Sequence, residues 1–119
     1  MGPTMRDQAA TRIDYADRFF APVQAAGETP SVGHYHQDGN LVWAEFRSGT
    51  IRTGRLVGTV RPSGTIDAAY CLVTAKGEAI AGTCVSEPTV LADGRIRLTE
   101  NWRRHDGSVG VSLIEELAP

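Results

Sequence analysis

The sequence predicts an all-β domain: an antiparallel up-and-down meander of about eight strands, closed into a small barrel. Three observations lead there. Residue pairs ending in glycine recur at Asp38-Gly39, Ser48-Gly49, Ser63-Gly64, Lys76-Gly77, Asp93-Gly94 and Asp106-Gly107, and glycine accepts the positive φ of tight hairpin turns. Between them lie runs rich in Val, Ile, Thr, Leu and aromatics, the composition of strands. The spacing leaves no room for βαβ crossovers, which need roughly a dozen residues each.

Taken in order, residues 1–16 are polar and lack a strand pattern, so they read as an N-terminal arm or short helix before a barrel domain of residues 17–119. Strands are expected at 17–23, 32–37, 40–47, 50–61, 65–75, 78–91, 95–104 and 108–117. Pro88 falls late in the sixth, where a missing donor predicts a bend or bulge. Closing the meander removes exposed edges. A barrel of this size is filled by side chains or holds one small ligand.

Charge and composition narrow the function. The net charge of −2 and pI near 5.9 give no electrostatic footprint for nucleic acid or an anionic membrane. No apolar run is long enough to span a bilayer. The stretch MGPTMRDQAATRIDYADRFF has no apolar signal region, which predicts a cytoplasmic protein. There, Cys71 and Cys84 are expected as reduced, buried small hydrophobes. They would share the outer face diagonally, too far apart for an easy bridge.

If each glycine pair is a two-residue turn, the register follows, and register fixes the face. Trp102 then opposes Val111 and Val85, Glu100 opposes Leu113, and Tyr70 opposes Thr83 and Val57. One connected face carries Arg55, Val57, Ala68, Tyr70, Leu72, Thr83, Val85, Ile96, Leu98, Glu100, Trp102, Val111 and Glu115. It is mostly apolar and reads as the interior. In the earlier hairpins Tyr35, Val42, Ala44 and Phe46 point inward, and His34, His36, Trp43 and Glu45 point outward. A one-residue change at either early turn would bring Trp43 inside.

Charges inside a barrel imply ion pairs, a wet cavity or a ligand. Glu100 beside Trp102 and Leu98 is a carboxyl whose pKa desolvation raises, suiting it to general acid–base work, although Arg55 would oppose that rise. The candidate catalytic set is Glu100 as acid or base, Tyr70 as hydrogen-bond donor, Arg55 as stabiliser of developing negative charge, and Glu115 as a second carboxylate. Trp102, Tyr35, Thr83, Trp43 and Leu98 are the candidate substrate contacts.

His34-x-His36 places two imidazoles on one strand face, but no third ligand follows at metal-site spacing, so no metal is expected. No phosphate-binding loop, dinucleotide fingerprint or nucleophile elbow is present, and no cofactor is expected. Arg103-Arg104-His105 reads as a solvated turn. The predicted partner is a small organic metabolite, without nucleic acid or membrane; a homodimer is compatible. The predicted function is a cofactor-free isomerase, cyclase or lyase acting inside the barrel. The alternatives are a non-catalytic carrier or sensor and a structural or oligomerisation module.

The stretch His34-Tyr-His-Gln37, with Leu41-Val-Trp43, Ile51-Arg52, Gly54-Arg-Leu56, Tyr70, Gly82-Thr-Cys84, Ser86-Glu-Pro88, Asp93-Gly-Arg95, Glu100, Trp102 and Ser112-Leu-Ile-Glu115, resembles a group of small bacterial proteins often labelled N-acetylglutamate synthase. The resemblance covers roughly residues 31–117. It implies a lipocalin-like barrel shape and supplies no catalytic residue. The sequence departs from the group after Trp102, where Arg103-Arg104 replaces a more aromatic ending.

Overall fold

Glycine-ended turns joining short alternating strands do produce a closed antiparallel barrel. The computed structural model describes residues 13–23 and 32–118. Its strands are β1 (Arg18–Pro22), β2 (Val32–Asp38), β3 (Leu41–Arg47), β4 (Ile51–Val60), β5 (Ile66–Thr74), β6 (Ala79–Val90), β7 (Ile96–Arg104) and β8 (Val109–Glu116). Each pairs with its sequence neighbour, and β1 pairs with β8 to close the ring. Residues 1–12 of the expected arm lie outside the described residues.

The hairpin loops are longer than the sequence reading assumed, and this changes the faces. In the last four hairpins, turns close between Arg61 and Thr65, Thr74 and Glu78, Leu91 and Arg95, and Arg104 and Ser108. Each is a three-residue loop: a tight turn, then a glycine near φ +90°, at Gly64, Gly77, Gly94 and Gly107. The extra residue shifts the register by one, and a one-residue shift turns a strand over. With β5 and β7 oriented as expected, β4, β6 and β8 are inverted. Their inward residues are Gly54, Leu56, Gly82, Cys84, Ser86, Gly110, Ser112 and Ile114. Val57, Thr83, Val85, Val111 and Leu113 face out. The β2–β3 turn also moved, to Gly39-Asn40 with Asp38 opposite Leu41. That is a two-residue shift, so Tyr35, Val42, Ala44 and Phe46 stay inside.

The β6–β7 register runs unbroken through Pro88, so no bulge falls there. β5 stops pairing with β6 at Ser86, so Pro88 is paired on one side only, with Leu98 of β7, and the missing N–H leaves no gap in a two-sided ladder. The register irregularity falls in β4, between Ile51 and Thr53.

Three inward aromatics each lie across from a glycine on the next strand: Phe46 opposite Gly54, Tyr70 opposite Gly82 and Trp102 opposite Gly110. A Cβ at any of these glycines would come within 3.0 Å of the facing ring. The glycines thus let large rings lie flat along the wall, and the barrel centre stays open.

One end is plugged. Tyr15, fully buried, donates its hydroxyl to the Gly64 carbonyl at 2.6 Å, and its N–H donates to Gln37 Oε1 at 2.8 Å. Its ring meets Phe20 and Tyr35 at 6.3 Å between centroids. Val42, Ile66 and Leu98 complete this floor with no exposed surface. At the short seam between β1 and β8, Arg18 donates to both oxygens of Glu116 at 2.8 and 2.9 Å.

The glycine pairing is testable. Gly110→Ala drives a methyl into the Trp102 ring and is expected to cost about 1–3 kcal/mol, the usual range for overpacking. A urea melt followed by tryptophan fluorescence measures it. An unchanged midpoint would show that the ring does not need the glycine.

Candidate ligand-binding cavity

The rings against the wall leave a cavity of about 590 Å³ that opens at the end opposite Tyr15, inside the range for small-molecule sites. The inward row of β7 runs along it. Leu98 is sealed in the floor, followed toward the mouth by Glu100, Trp102 and Arg104. Alternate residues of a strand point the same way, so four consecutive positions give this ordered series.

Glu100 is the one carboxylate lining the cavity among the described residues. Burial pushes its carboxyl up to about 7, and the Ser86 hydroxyl nearby partly opposes the rise. Ser86 itself is buried and is not part of the cavity lining. Its Oγ makes no hydrogen bond of ordinary geometry, yet it acts on the Glu100 carboxyl and the Cys84 thiol as a hydrogen-bonding neighbour. Burial, then the charge of Glu100, raises the pKa of Tyr35 well above its usual value, so its phenol keeps its proton. Burial likewise pushes the Cys84 thiol up to about 11, so Cys84 is a protonated, unreactive part of the wall.

The walls are held in place by local contacts. Trp102 Nε1 donates to Ser112 Oγ at 3.1 Å, which fixes the indole over Gly110. The Arg104 guanidinium sits 5.2 Å from the indole centroid at the mouth, a cation–π distance. Tyr70 lies over Gly82 and lines the cavity with Phe46, Leu56 and Ile114.

Of the residues singled out from sequence, Glu100, Tyr70, Trp102 and Tyr35 line the cavity, and Leu98 lies in its floor. Four do not enter it. Arg55 is on the outer surface, where it donates to Thr53 Oγ1 at 3.0 Å and the Gly54 carbonyl at 2.8 Å. Glu115 is outside, accepting from Arg97 Nε at 2.8 Å. Thr83 is exposed on the outer face of β6. The inversion of β4, β6 and β8 accounts for all three. Trp43 stays outside because the early turn kept its parity, and it stacks on His36 with centroids 5.3 Å apart.

The same inversion brings in Cys84, Ser86 and Ser112, which the sequence reading left out. Arg104, read as part of a solvated turn, lines the mouth. Cys71 is exposed and Cys84 buried, and both are free, so the pair occupies opposite faces rather than one.

The closed barrel, its plugged end and a lined cavity define a class: a β-barrel that binds small molecules. The profile of the avidin-like protein family matches residues 13–117, so this chain belongs to the avidin-like family. No curated protein and no solved structure gives a significant match. The family match begins at Ile13, so it includes the Tyr15 plug.

The carboxyl of Glu100 makes stability depend on pH. Between its ordinary 4.5 and about 7, the folded chain holds a proton that the unfolded chain has released. Stability from this group is therefore full at low pH, falls as pH rises through that window and levels off above it, a change on the order of 3 kcal/mol. Urea midpoints of wild type and Glu100→Gln, taken from about pH 4.5 to about pH 8, should converge or cross as pH rises, the wild type losing ground. A constant difference would place Glu100 at the usual carboxylate value.

Proposed function

We propose that this barrel is a binding protein for a small amphipathic metabolite with a hydrogen-bond-donating head, a flat apolar body and an anionic tail. The single observation that carries the reading is the β7 row. Glu100 at depth, with the Tyr35 phenol beside it, suits a polar head. Trp102 suits a flat body. Arg104 at the mouth suits an anion. From Glu100 to Arg104 is about 13 Å of strand at 3.3 Å per residue, which matches a bicyclic head with a short acid chain. The avidin-like family supports a biotin-like cyclic urea as the first probe, its N–H groups meeting Glu100 and its carbonyl accepting from Tyr35.

Calorimetry with biotin and its neutral amide tests this. Both should bind, and Trp102→Ala should weaken both. Arg104→Ala should weaken the acid by roughly five- to tenfold, about 1 kcal/mol, and leave the amide unchanged. Failure of both probes would discard the cyclic urea. An equal loss for acid and amide would remove Arg104 as the reader of the tail.

A catalytic reading, the cofactor-free isomerase, cyclase or lyase, draws on one observation: a carboxyl poised near neutrality in an apolar pocket. In it, Glu100 exchanges a proton with the bound molecule, and Tyr70 donates to a developing oxyanion. Glu100→Gln would then abolish turnover while ligand affinity survives. Ligand recovered unchanged after long incubation with wild type would leave only the binding function.

Self-association belongs to the same proposal. The outer face of β4 to β8 exposes Val57, Val109 and Val111, each more than half exposed, across a shallow groove lined also by Ala69 and Val85. A second copy covering this strip would bury it as a homodimer interface. Light scattering should give a dimer mass for wild type and a monomer for Val111→Asp. A wild-type monomer at every concentration would exclude it.

A further inference from the structure

On the outer wall, away from the cavity, the fold assembles a cluster that the sequence left incomplete. His34 and His36 are two residues apart on β2 and face the same way, with ring centroids 4.2 Å apart. The missing third ligand arrives from outside the strand pattern. Asp17, in the turn before β1, donates its N–H to the Tyr35 carbonyl at 2.8 Å and holds φ at 59°. Aspartate tolerates this left-handed conformation better than most residues. The result places Asp17 Oδ1 at 3.1 Å from His34 Nε2. One ligand atom from each of Asp17, His34 and His36 lies within 4.8 Å of the others.

We infer that Asp17, His34 and His36 form a binding site for a divalent transition-metal ion, with Zn²⁺ its natural occupant. Two imidazoles and a carboxylate suit such an ion and leave further positions for water. Zinc-to-ligand distances of about 2.0–2.1 Å put neighbouring ligand atoms about 3.0–3.4 Å apart. The Asp17–His34 pair already has that spacing. Glu45 lies on the adjacent strand with its Oε1 at 2.7 Å from His36 Nε2, so His36 would ligate through Nδ1, and a carboxylate on the other nitrogen of a ligating imidazole orients the ring and raises its basicity. Asp17 has no Lys or Arg partner among the described residues. The flanking rings brace the ligands: Phe19 stacks on His34 at 4.2 Å and Trp43 on His36 at 5.3 Å.

The position gives the ion a job. Asp17 is two residues beyond the Tyr15 plug, and the histidines are on the barrel wall. An ion held by both would clasp the plug segment to β2, so metal binding would stabilise the closed end.

Chelator-treated protein without an affinity tag, titrated with Zn²⁺ by calorimetry, should bind one ion per chain, and its melting midpoint should rise with Zn²⁺. Asp17→Asn and His34→Ala should each abolish that binding and that rise. Glu45→Gln should weaken binding by about tenfold or more. Cu²⁺ should quench fluorescence in wild type far more than in Trp43→Phe, which places the ion beside His36. Circular dichroism of the metal-free variants separates a lost ligand from a lost fold. Absence of stoichiometric binding, or wild-type affinity in the folded Asp17→Asn and His34→Ala proteins, overturns the site. Cavity ligands are not involved, so failure here leaves the barrel's binding function standing.

Discussion

A glycine held near φ +90° at the third position of a loop decides which half of the side chains enters this barrel. Four successive hairpins share that loop. Each fixes the parity of its two strands, and the β-sheet then copies the choice from strand to strand. With this parity, Tyr70 and Trp102 find glycines opposite them, and across the β3–β4 hairpin, closed by a different turn, Phe46 finds Gly54. With the opposite parity Tyr70 would meet Ala81 or Thr83 and Trp102 would meet Val109 or Val111, and these rings could not lie flat. Loop geometry and ring packing therefore agree on one arrangement, the kind of mutual consistency that gives a sequence a single fold. The open cavity is its by-product.

The same parity sorts the charges. Arg97 with Glu115 and Arg61 with Asp67 pair on the outside, where solvent lowers the cost of ionisation. One carboxyl, Glu100, is left lining the cavity without a basic partner. Such a group remains neutral, or ionises into water or toward a donor. Its titration near neutrality and the protonated Tyr35 phenol together make a small polar region in an apolar chamber.

Much of this was legible in the sequence. The recurring glycine pairs gave eight strands within a residue or two of their ends, and the inward aspect of β7, with Glu100 and Trp102, was read correctly. What failed was loop length. Asp-Gly suits both a two-residue turn and a three-residue loop whose glycine takes the left-handed position, and those loops differ by the one residue that inverts a strand. So Arg55, Thr83 and Glu115 were placed inside, while Cys84, Ser86 and Ser112 were missed. A discriminating signal was present: only the three-residue register sets Gly82 and Gly110 against aromatics. The Tyr15 plug lay in a segment without alternation, where long-range packing alone fixes position, and Asp17, read as the first residue of a strand, stands in the turn before it.

The Tyr15 plug also has a kinetic meaning. Among the described residues the barrel is stoppered at one end and open at the other, so for the ligand proposed above, water leaving and the molecule arriving would share that doorway. A molecule whose head reaches Glu100 must enter head first and depart tail first. Its residence time is then governed at the threshold, where Arg104 lies over Trp102 and the tail is the first part to meet bulk solvent. Tightness of the hold and ease of escape are thus set at opposite ends of the same strand.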